Sequence, residues 1–184
     1  MSNAIRGEYL AVRDGAECLY PAPVVAAAVE RVAAAMTVEL EEADPLFLCV
    51  MVGGFRFASD LLGHLYFPLE LDYLQVSRYR DRTRGGELNW LRHPAGSLRG
   101  RSVVILDDIL DEGITLDAVV RHCRQAGAAS VATAVLVDKA VANRPIEADW
   151  AALAAPDRYL FGEGMDFKGY GRNLRGIWAL SEGR

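Results

Sequence analysis

Lysine, cysteine and long apolar runs are all scarce in this sequence. Only Lys139 and Lys168 among the 20 basic residues are lysines, so arginine carries most of the positive charge. The three cysteines form no CxxC pair, which argues against a zinc knuckle or a disulfide framework and favours a reducing compartment. The longest apolar stretch, Leu46 to Val52, is far shorter than the roughly 20 residues that a membrane span needs. The first residues show no cationic start before an apolar segment, so we expect a cytoplasmic protein without membrane contact.

A basic surface is also missing. The formal net charge is −5, from 20 basic and 25 acidic residues. Because nucleic-acid affinity depends on clustered cations that neutralise phosphates, we expect no nucleic-acid partner. The length of 184 residues, the 52% hydrophobic and 24% charged composition and the lack of repeats or linkers predict a single domain over residues 1–184.

Apolar strands alternate with helices along the chain. Short apolar or alternating runs predict strands, and helical spacing of apolar residues predicts helices. The predicted strands are Leu46 to Val52, Leu69 to Tyr79, Gly86 to His93, Ser102 to Leu106, Ser130 to Val137, Arg158 to Phe161 and Gly176 to Leu180. The predicted helices are Pro21 to Ala43, Phe55 to Tyr66 and Thr115 to Ala126. This alternation predicts an α/β fold with a mostly parallel sheet, which binds ligands beyond the carboxyl ends of its strands.

The segment from Val103 to Leu116, VVILDDILDEGITL, carries the clearest chemical signal. An apolar strand runs directly into Asp107 and Asp108, and Asp111 precedes a turn and a new helix. Adjacent carboxylates can accept hydrogen bonds from the two hydroxyls of a ribose, and free amides at a helix N-terminus can hold a phosphate. The alternative is that these acids only complement the dipole of the following helix. That explanation accounts for one or two acids but not for an adjacent pair at the end of a strand.

This segment resembles the phosphoribosyl-diphosphate motif of the type I phosphoribosyltransferases: four apolar residues, two acids, two apolar residues, then Asp-x-Gly-x-Thr. The segments VGGFRFASDLL, LDYLQVSRY, VLVDK and RYLFGEGMDFKGYGRNLRGIWAL are similar to further parts of the hypoxanthine-guanine branch, in the same order. The resemblance therefore spans Leu46 to Leu180. It implies the type I phosphoribosyltransferase fold, an α/β fold whose mostly parallel central sheet is flanked by helices, with a small hood from the N- and C-terminal segments.

The resemblance implies roles for the acidic segment. Asp107 and Asp108 would bind the ribose hydroxyls, and Asp111 would be the catalytic residue that accepts or returns a proton near N7 of a purine. The 5′-phosphate would lie in the loop of Asp111, Glu112, Gly113, Ile114 and Thr115.

Further positions would bind the base and the diphosphate. Lys139 would donate to the 6-oxo group of the purine, Tyr159 would stack on the ring, and the backbone of Leu160 would meet its edge. Asp166 would ligate Mg²⁺ and Arg172 would bind the departing diphosphate. Taken singly, Lys139 also fits a solvated strand end, Tyr159 a core position, Asp166 a turn and Arg172 a surface ion pair. Their shared order and spacing favour the functional roles.

Two loops complete the implied site. Val52 and Gly53 would bind pyrophosphate, with a cis peptide expected at Met51–Val52. The segment Ser77 to Gly86, which starts with Ser77, Arg78 and Tyr79, would close over the site as a lid, or form an ordinary solvated hairpin loop.

The sequence departs from the family pattern at two positions. Glu112 stands where the motif usually has Ser or Thr, and we expect its side chain to turn away from the like-charged phosphate. Val52 stands where many relatives have lysine, so a possible pyrophosphate or intersubunit contact is lost while the backbone role can remain.

The implied reaction moves the phosphoribosyl group of phosphoribosyl diphosphate to N9 of hypoxanthine or guanine, giving IMP or GMP plus diphosphate. Its implied partners are these small molecules and Mg²⁺, and a homodimer or homotetramer is expected. A different base preference, such as xanthine, and a non-catalytic nucleotide-sensing regulator on the same fold are the alternatives.

Overall fold

The computed structural model describes residues 2–78, 88–139 and 141–181. In chain order its elements are α1 (Ser2–Asp14), β1 (Glu17–Tyr20), α2 (Ala22–Leu40), β2 (Leu46–Met51), α3 (Phe55–Leu62), β3 (Glu70–Arg78), β4 (Leu88–Arg92), β5 (Ser102–Leu110), α4 (Ile114–Gln125), β6 (Ser130–Asp138), β7 (Trp150–Ala154), β8 (Leu160–Phe161) and β9 (Ile177–Ala179). No helix within the described ranges is long and apolar enough to cross a bilayer.

A six-stranded sheet forms the centre of the molecule. Its strand order is β4-β3-β2-β5-β6-β7, and every neighbouring pair is parallel except β3 and β4. The predicted α/β fold with a mostly parallel sheet is therefore confirmed. The carboxyl ends of β2, β5 and β6 lie side by side, which brings the segments that follow them to one edge of the sheet.

Helices cover both faces of this sheet. Successive residues of a strand point to opposite faces, so in β2 Phe47 and Cys49 pack with α2 and α3, whereas Leu48 and Val50 pack with α4. Burial on both sides explains why the central strands are continuous apolar runs rather than alternating ones.

A second, three-stranded sheet with the order β1-β9-β8 joins the two terminal segments. Ala179 of β9 pairs with Glu17 of β1 on one side and with Leu160 of β8 on the other. Helix α1 packs on the same region, where the ring of Tyr9 stacks on Tyr170 with centroids 5.6 Å apart. The expected hood of N- and C-terminal segments is confirmed.

The element boundaries differ from the predicted ones in physically simple ways. Strand β5 does not stop at Leu106 but continues to Leu110, because its pairing with β6 runs on to the Leu110–Asp138 pair. Helix α3 ends at Leu62, before Gly63. The predicted helix from Pro21 is α2, with the proline at its N-cap. The sequence patterns gave no prediction for α1, β1 or β7.

Candidate active site

A cavity of about 400 Å³ lies between the carboxyl ends of the central strands and the hood. That volume falls within the usual range for a small-molecule site. Most of the predicted site residues line it, namely Val52, Gly53, Asp107, Asp108, Asp111, Gly113, Thr115, Lys139, Tyr159, Leu160, Asp166 and Arg172. Segments from four separate parts of the chain therefore converge on one space.

Asp107 and Asp108 line the cavity side by side. Asp107 is only 8% exposed, and its Oδ1 accepts the backbone N–H of Asp108 at 2.9 Å. Burial, reinforced by the charge of Asp108, raises the pKa of Asp107 well above its ordinary value. Burial also raises the pKa of Asp108, although the Asp107 side chain and Arg172 act in the opposite direction. A pair in this setting is stabilised by hydrogen-bond donors or by a cation.

The loop after β2 lies in close contact with Asp108. The peptide bond Met51–Val52 is cis, as expected. A Cβ atom added to Gly53 would lie 2.0 Å from Oδ2 of Asp108, so a larger residue there would displace the Asp108 carboxylate. The Val52 side chain is 49% exposed at the cavity rim. Backbone atoms of this loop, rather than a charged side chain, therefore face the cavity next to the acids.

The turn between β5 and α4 forms the floor of the cavity. Gly113 has φ +75° and is the N-cap of α4, so the amides of the first helical turn point out of the helix. Gly113 and Thr115 line the cavity, whereas Glu112 and Ile114 do not. The Glu112 side chain is exposed. This arrangement suits an anion held by backbone amides.

A buried arginine supports that turn from behind. Arg144 donates to both carboxylate oxygens of Asp138, at 2.5 and 2.9 Å. A Cβ atom on Gly113 would lie 3.2 Å from Cγ2 of Ile146 and 3.3 Å from Cδ of Pro145. The segment after β6 therefore packs against the turn and fixes its position. Sequence reasoning did not single out Arg144, although its carboxylate partners Asp138 and Glu147 lie within six positions of it in the chain.

Lys139 also lines the cavity and is buried, with 6% of its surface exposed. Its Nζ lies 3.1 Å from Oδ2 of Asp111 and 3.3 Å from Oδ1 of Asp157. The solvated strand end considered for Lys139 is therefore wrong. Asp157 was not predicted as a site residue. The lysine and the candidate catalytic carboxylate form one ion-paired unit.

The hood contributes an aromatic ring and a further ion pair. Tyr159 is 47% exposed, so it is not a core residue, and its hydroxyl donates to the backbone oxygen of Asp166 at 2.9 Å. Leu160 beside it is buried. Arg172 Nη2 lies 2.5 Å from Oδ1 of Asp166, and Nη1 donates to the backbone oxygen of Gly164 at 2.6 Å. The cation and the carboxylate face the cavity together.

The predicted lid falls only partly within the described ranges. Ser77 and Arg78 end strand β3, and their backbones pair with Asn89 and Leu88 of β4. Tyr79 and the rest of the segment up to residue 86 lie outside the described residues.

Comparisons with known proteins find one family and several similar proteins. The phosphoribosyl transferase domain family matches residues 15–167. The chain is 33% identical to the hypoxanthine-guanine phosphoribosyltransferase of Bacillus subtilis over 83% of this chain and 86% of that protein. It is 31% identical to the hypoxanthine-guanine-xanthine phosphoribosyltransferase of Tritrichomonas foetus over 84% of this chain and 85% of that protein. Among solved structures, a hypoxanthine phosphoribosyltransferase from Staphylococcus aureus is similar with a TM-score of 0.86 and 25% identity, covering 92% of this chain and 94% of the other.

Proposed function

Since the chain belongs to the phosphoribosyl transferase family, we propose that it transfers the phosphoribosyl group of phosphoribosyl diphosphate to N9 of hypoxanthine or guanine. The products are IMP or GMP and diphosphate, as in purine salvage. The observation that carries this proposal is one cavity of about 400 Å³ that combines a buried acid pair, a helix-capping turn, a buried lysine and an exposed aromatic ring.

The acid pair and the turn bind the sugar phosphate. The hydroxyls of the ribose donate to Asp107 and Asp108, and these hydrogen bonds add to the backbone N–H bond that Asp107 already accepts. The 5′-phosphate lies against the amides around Gly113 and the Thr115 hydroxyl. Because Glu112 does not line the cavity, its charge does not oppose the phosphate directly.

The base lies between Lys139 and Tyr159. The ammonium of Lys139 has donors but no acceptor, so it favours a 6-oxo group over a 6-amino group. The half-exposed ring of Tyr159 offers a face for stacking. When O6 of the base accepts from Lys139, the adjacent Asp111 lies close to the five-membered ring of the purine and can accept or return its proton at N7.

The part of the site that binds the departing diphosphate can stabilise negative charge. The bond between C1 of the ribose and the diphosphate breaks with oxocarbenium character, so catalysis depends on positioning and charge stabilisation. Arg172 pairs with the departing diphosphate, and the backbone of Val52 and Gly53 meets the same oxygens.

The residues present fit a magnesium ion. No cluster of three His, Cys, Asp or Glu suited to a metal occurs within the described ranges. Mg²⁺ usually takes one or two carboxylates and completes its shell with water and substrate phosphates, so a dedicated cluster is not needed. Asp166, partly exposed at the cavity, would supply the carboxylate. A bound Mg²⁺ would neutralise charge on the diphosphate.

A direct assay tests the proposal. The protein is mixed with hypoxanthine or guanine, phosphoribosyl diphosphate and MgCl₂, and nucleotide formation is followed by absorbance and chromatography. Formation of IMP or GMP with stoichiometric diphosphate is expected. Nucleotide binding without turnover would refute the proposed transferase activity and favour a nucleotide-sensing regulator.

Xanthine is the second candidate base, because one relative is named for all three oxopurines. Competition among the three bases in the same assay ranks them. We also propose a cytoplasmic homodimer or homotetramer, and light scattering coupled to size-exclusion chromatography gives the mass of the assembly.

A further inference from the structure

Glu163 is a buried carboxylate to which the proposed reaction gives no role. Its side chain is 3% exposed, and it lies in the hood turn between β8 and β9. Oε1 accepts the backbone N–H of Gly176 at 2.7 Å, and Oε2 lies 3.2 Å from Nε of Arg56 in α3. Arg175 Nε approaches Oε1 at 3.6 Å. Two arginines thus compensate a charge whose burial is otherwise unfavourable.

These contacts join both ends of the hood turn. Residues 163 and 176 bracket the segment that carries Asp166 and Arg172. The N–H of Glu163 donates to the backbone oxygen of Leu174 at 2.9 Å, which closes the same segment a second time. The Glu163 side chain therefore stabilises the loop that carries Asp166 and Arg172, although it contributes no binding group itself.

The turn also contacts the loop after β2. A Cβ atom on Gly164 would lie 2.2 Å from the backbone oxygen of Gly53, so the two backbones are in close contact. The backbone oxygen of Gly164 accepts from Arg172. Arg56 is the second residue of α3, and α3 directly follows the loop that contains Gly53. The Glu163–Arg56 ion pair therefore joins the hood turn to the helix that follows the Gly53 loop, and the hood turn and this loop line the proposed diphosphate site.

The base-binding half has contacts of its own, besides the hydrogen bond from the Tyr159 hydroxyl to Asp166 in the hood turn. Leu160 pairs with Ala179, and the backbone oxygen of Tyr159 accepts from Leu180 at 3.0 Å. Lys139 follows β6 of the central sheet. Loss of the Glu163 contacts leaves these interactions in place.

We propose that Glu163 is a positioning residue that holds Arg172 and the Gly53 loop at the spacing needed for the diphosphate of the substrate. The inference rests on the proposed function. Glu163→Gln keeps the acceptor for Gly176 but removes the charge opposite Arg56, so it loosens the junction without leaving a cavity.

The expected result for Glu163→Gln is a rise of about tenfold in KM for phosphoribosyl diphosphate, since small displacements of a binding group have large kinetic effects. KM for hypoxanthine should stay within about twofold, because Lys139 and the backbone of Tyr159 and Leu160 are held by contacts outside the turn. Calorimetry with inorganic diphosphate and MgCl₂ should show a matching loss of affinity. Arg56→Met should reproduce both effects, and the double variant should be no worse than either single one.

Asp60→Asn is the matched control, because Asp60 Oδ2 also pairs with Arg56 Nε, at 3.1 Å, but makes no ion pair or side-chain hydrogen bond with the described residues of the hood. It should leave both KM values unchanged. Equal rises in both KM values, additive effects in the double variant, or a lower Tm with unchanged KM values would overturn the inference. If Glu163→Gln does not fold, Arg56→Met decides alone. A wild-type protein that makes no nucleotide refutes the proposed function, whereas unchanged diphosphate affinity in the variants refutes only the role of Glu163.

Discussion

Replacement of Lys139 by methionine tests the base-binding half of the site most directly. Methionine has a similar length and fills the buried position, but it has no donor for the 6-oxo group of the base. The ammonium that it replaces lies within 3.3 Å of the carboxylates of Asp111 and Asp157. The variant therefore loses a charged hydrogen bond to the substrate while the acid pair at the ribose side keeps its contacts.

The size of the effect follows from that single hydrogen bond. A hydrogen bond with a charged partner contributes about 1.5–3 kcal/mol, and about 1.4 kcal/mol corresponds to a tenfold change in affinity. KM for hypoxanthine should therefore rise by about 10- to 150-fold. KM for phosphoribosyl diphosphate should change by less than about threefold, because Lys139 pairs with the Asp111 side chain at the start of the 5′-phosphate loop, whereas the phosphate lies against the amides around Gly113.

Steady-state kinetics with each substrate varied in turn gives both KM values. Lys168→Met is the matched control, because Lys168 is the other lysine of the chain and pairs with Glu8 of α1 at the outside of the hood, at 2.6 Å. It should behave like the wild type. An unchanged KM for hypoxanthine in Lys139→Met, or an equal rise for both substrates, would refute the base-reading role.

Three further predictions address other parts of the site. Asp111→Asn should lower kcat by about 10²- to 10⁴-fold while IMP binding measured by calorimetry is retained, and an undiminished kcat would remove Asp111 from the chemistry. The pKa of Asp107 is raised in the folded protein, so the native state binds more protons than the unfolded state and stability falls as pH rises from about 4 towards that raised pKa. Asp107→Asn should therefore have a higher Tm than the wild type at neutral pH and no such gain at low pH, and a Tm below wild type throughout would contradict this. Gly164→Ala should lower Tm by about 3–10 °C, because a side chain at φ +108° adds a strain of about 1–3 kcal/mol and its Cβ overlaps the backbone of Gly53. Gly169→Ala should lower Tm by less, because Gly169 has φ +90° but a Cβ there would lie in open space.

The parts of the site that could be predicted from the sequence are local in the chain. Asp107, Asp108, Asp111 and Gly113 follow one apolar strand within a few residues, so strand, acids and turn form a single readable pattern. The carboxyl-end rule for parallel sheets then gives the location of the cavity without knowledge of the side-chain contacts.

The contacts that could not be predicted join distant segments. Asp157 reaches Lys139 across 18 positions of the chain, and nothing in its neighbours distinguishes it from a turn residue. Glu163 lies between two glycines, a pattern that predicts an exposed turn, yet its side chain is 3% exposed and pairs with Arg56 of another element. Strand β1 has only four residues with two of them exposed, and its partner β9 lies near the other end of the chain.

The two halves of the site depend on different parts of the fold. The acids and the phosphate turn belong to the central sheet, where burial on both faces fixes β5 and the start of α4. The stacking ring, Asp166 and Arg172 belong to the hood, which is held by short strands and by isolated polar contacts. In the part of the chain that the structure describes, the backbone hydrogen bonds of the hood turn run within the hood itself. The position of the hood therefore depends on side chains that join it to the central sheet, through apolar core contacts and through pairs such as Glu163 with Arg56. Changes in those side chains should therefore alter the binding of base or diphosphate before they alter the binding of the ribose phosphate.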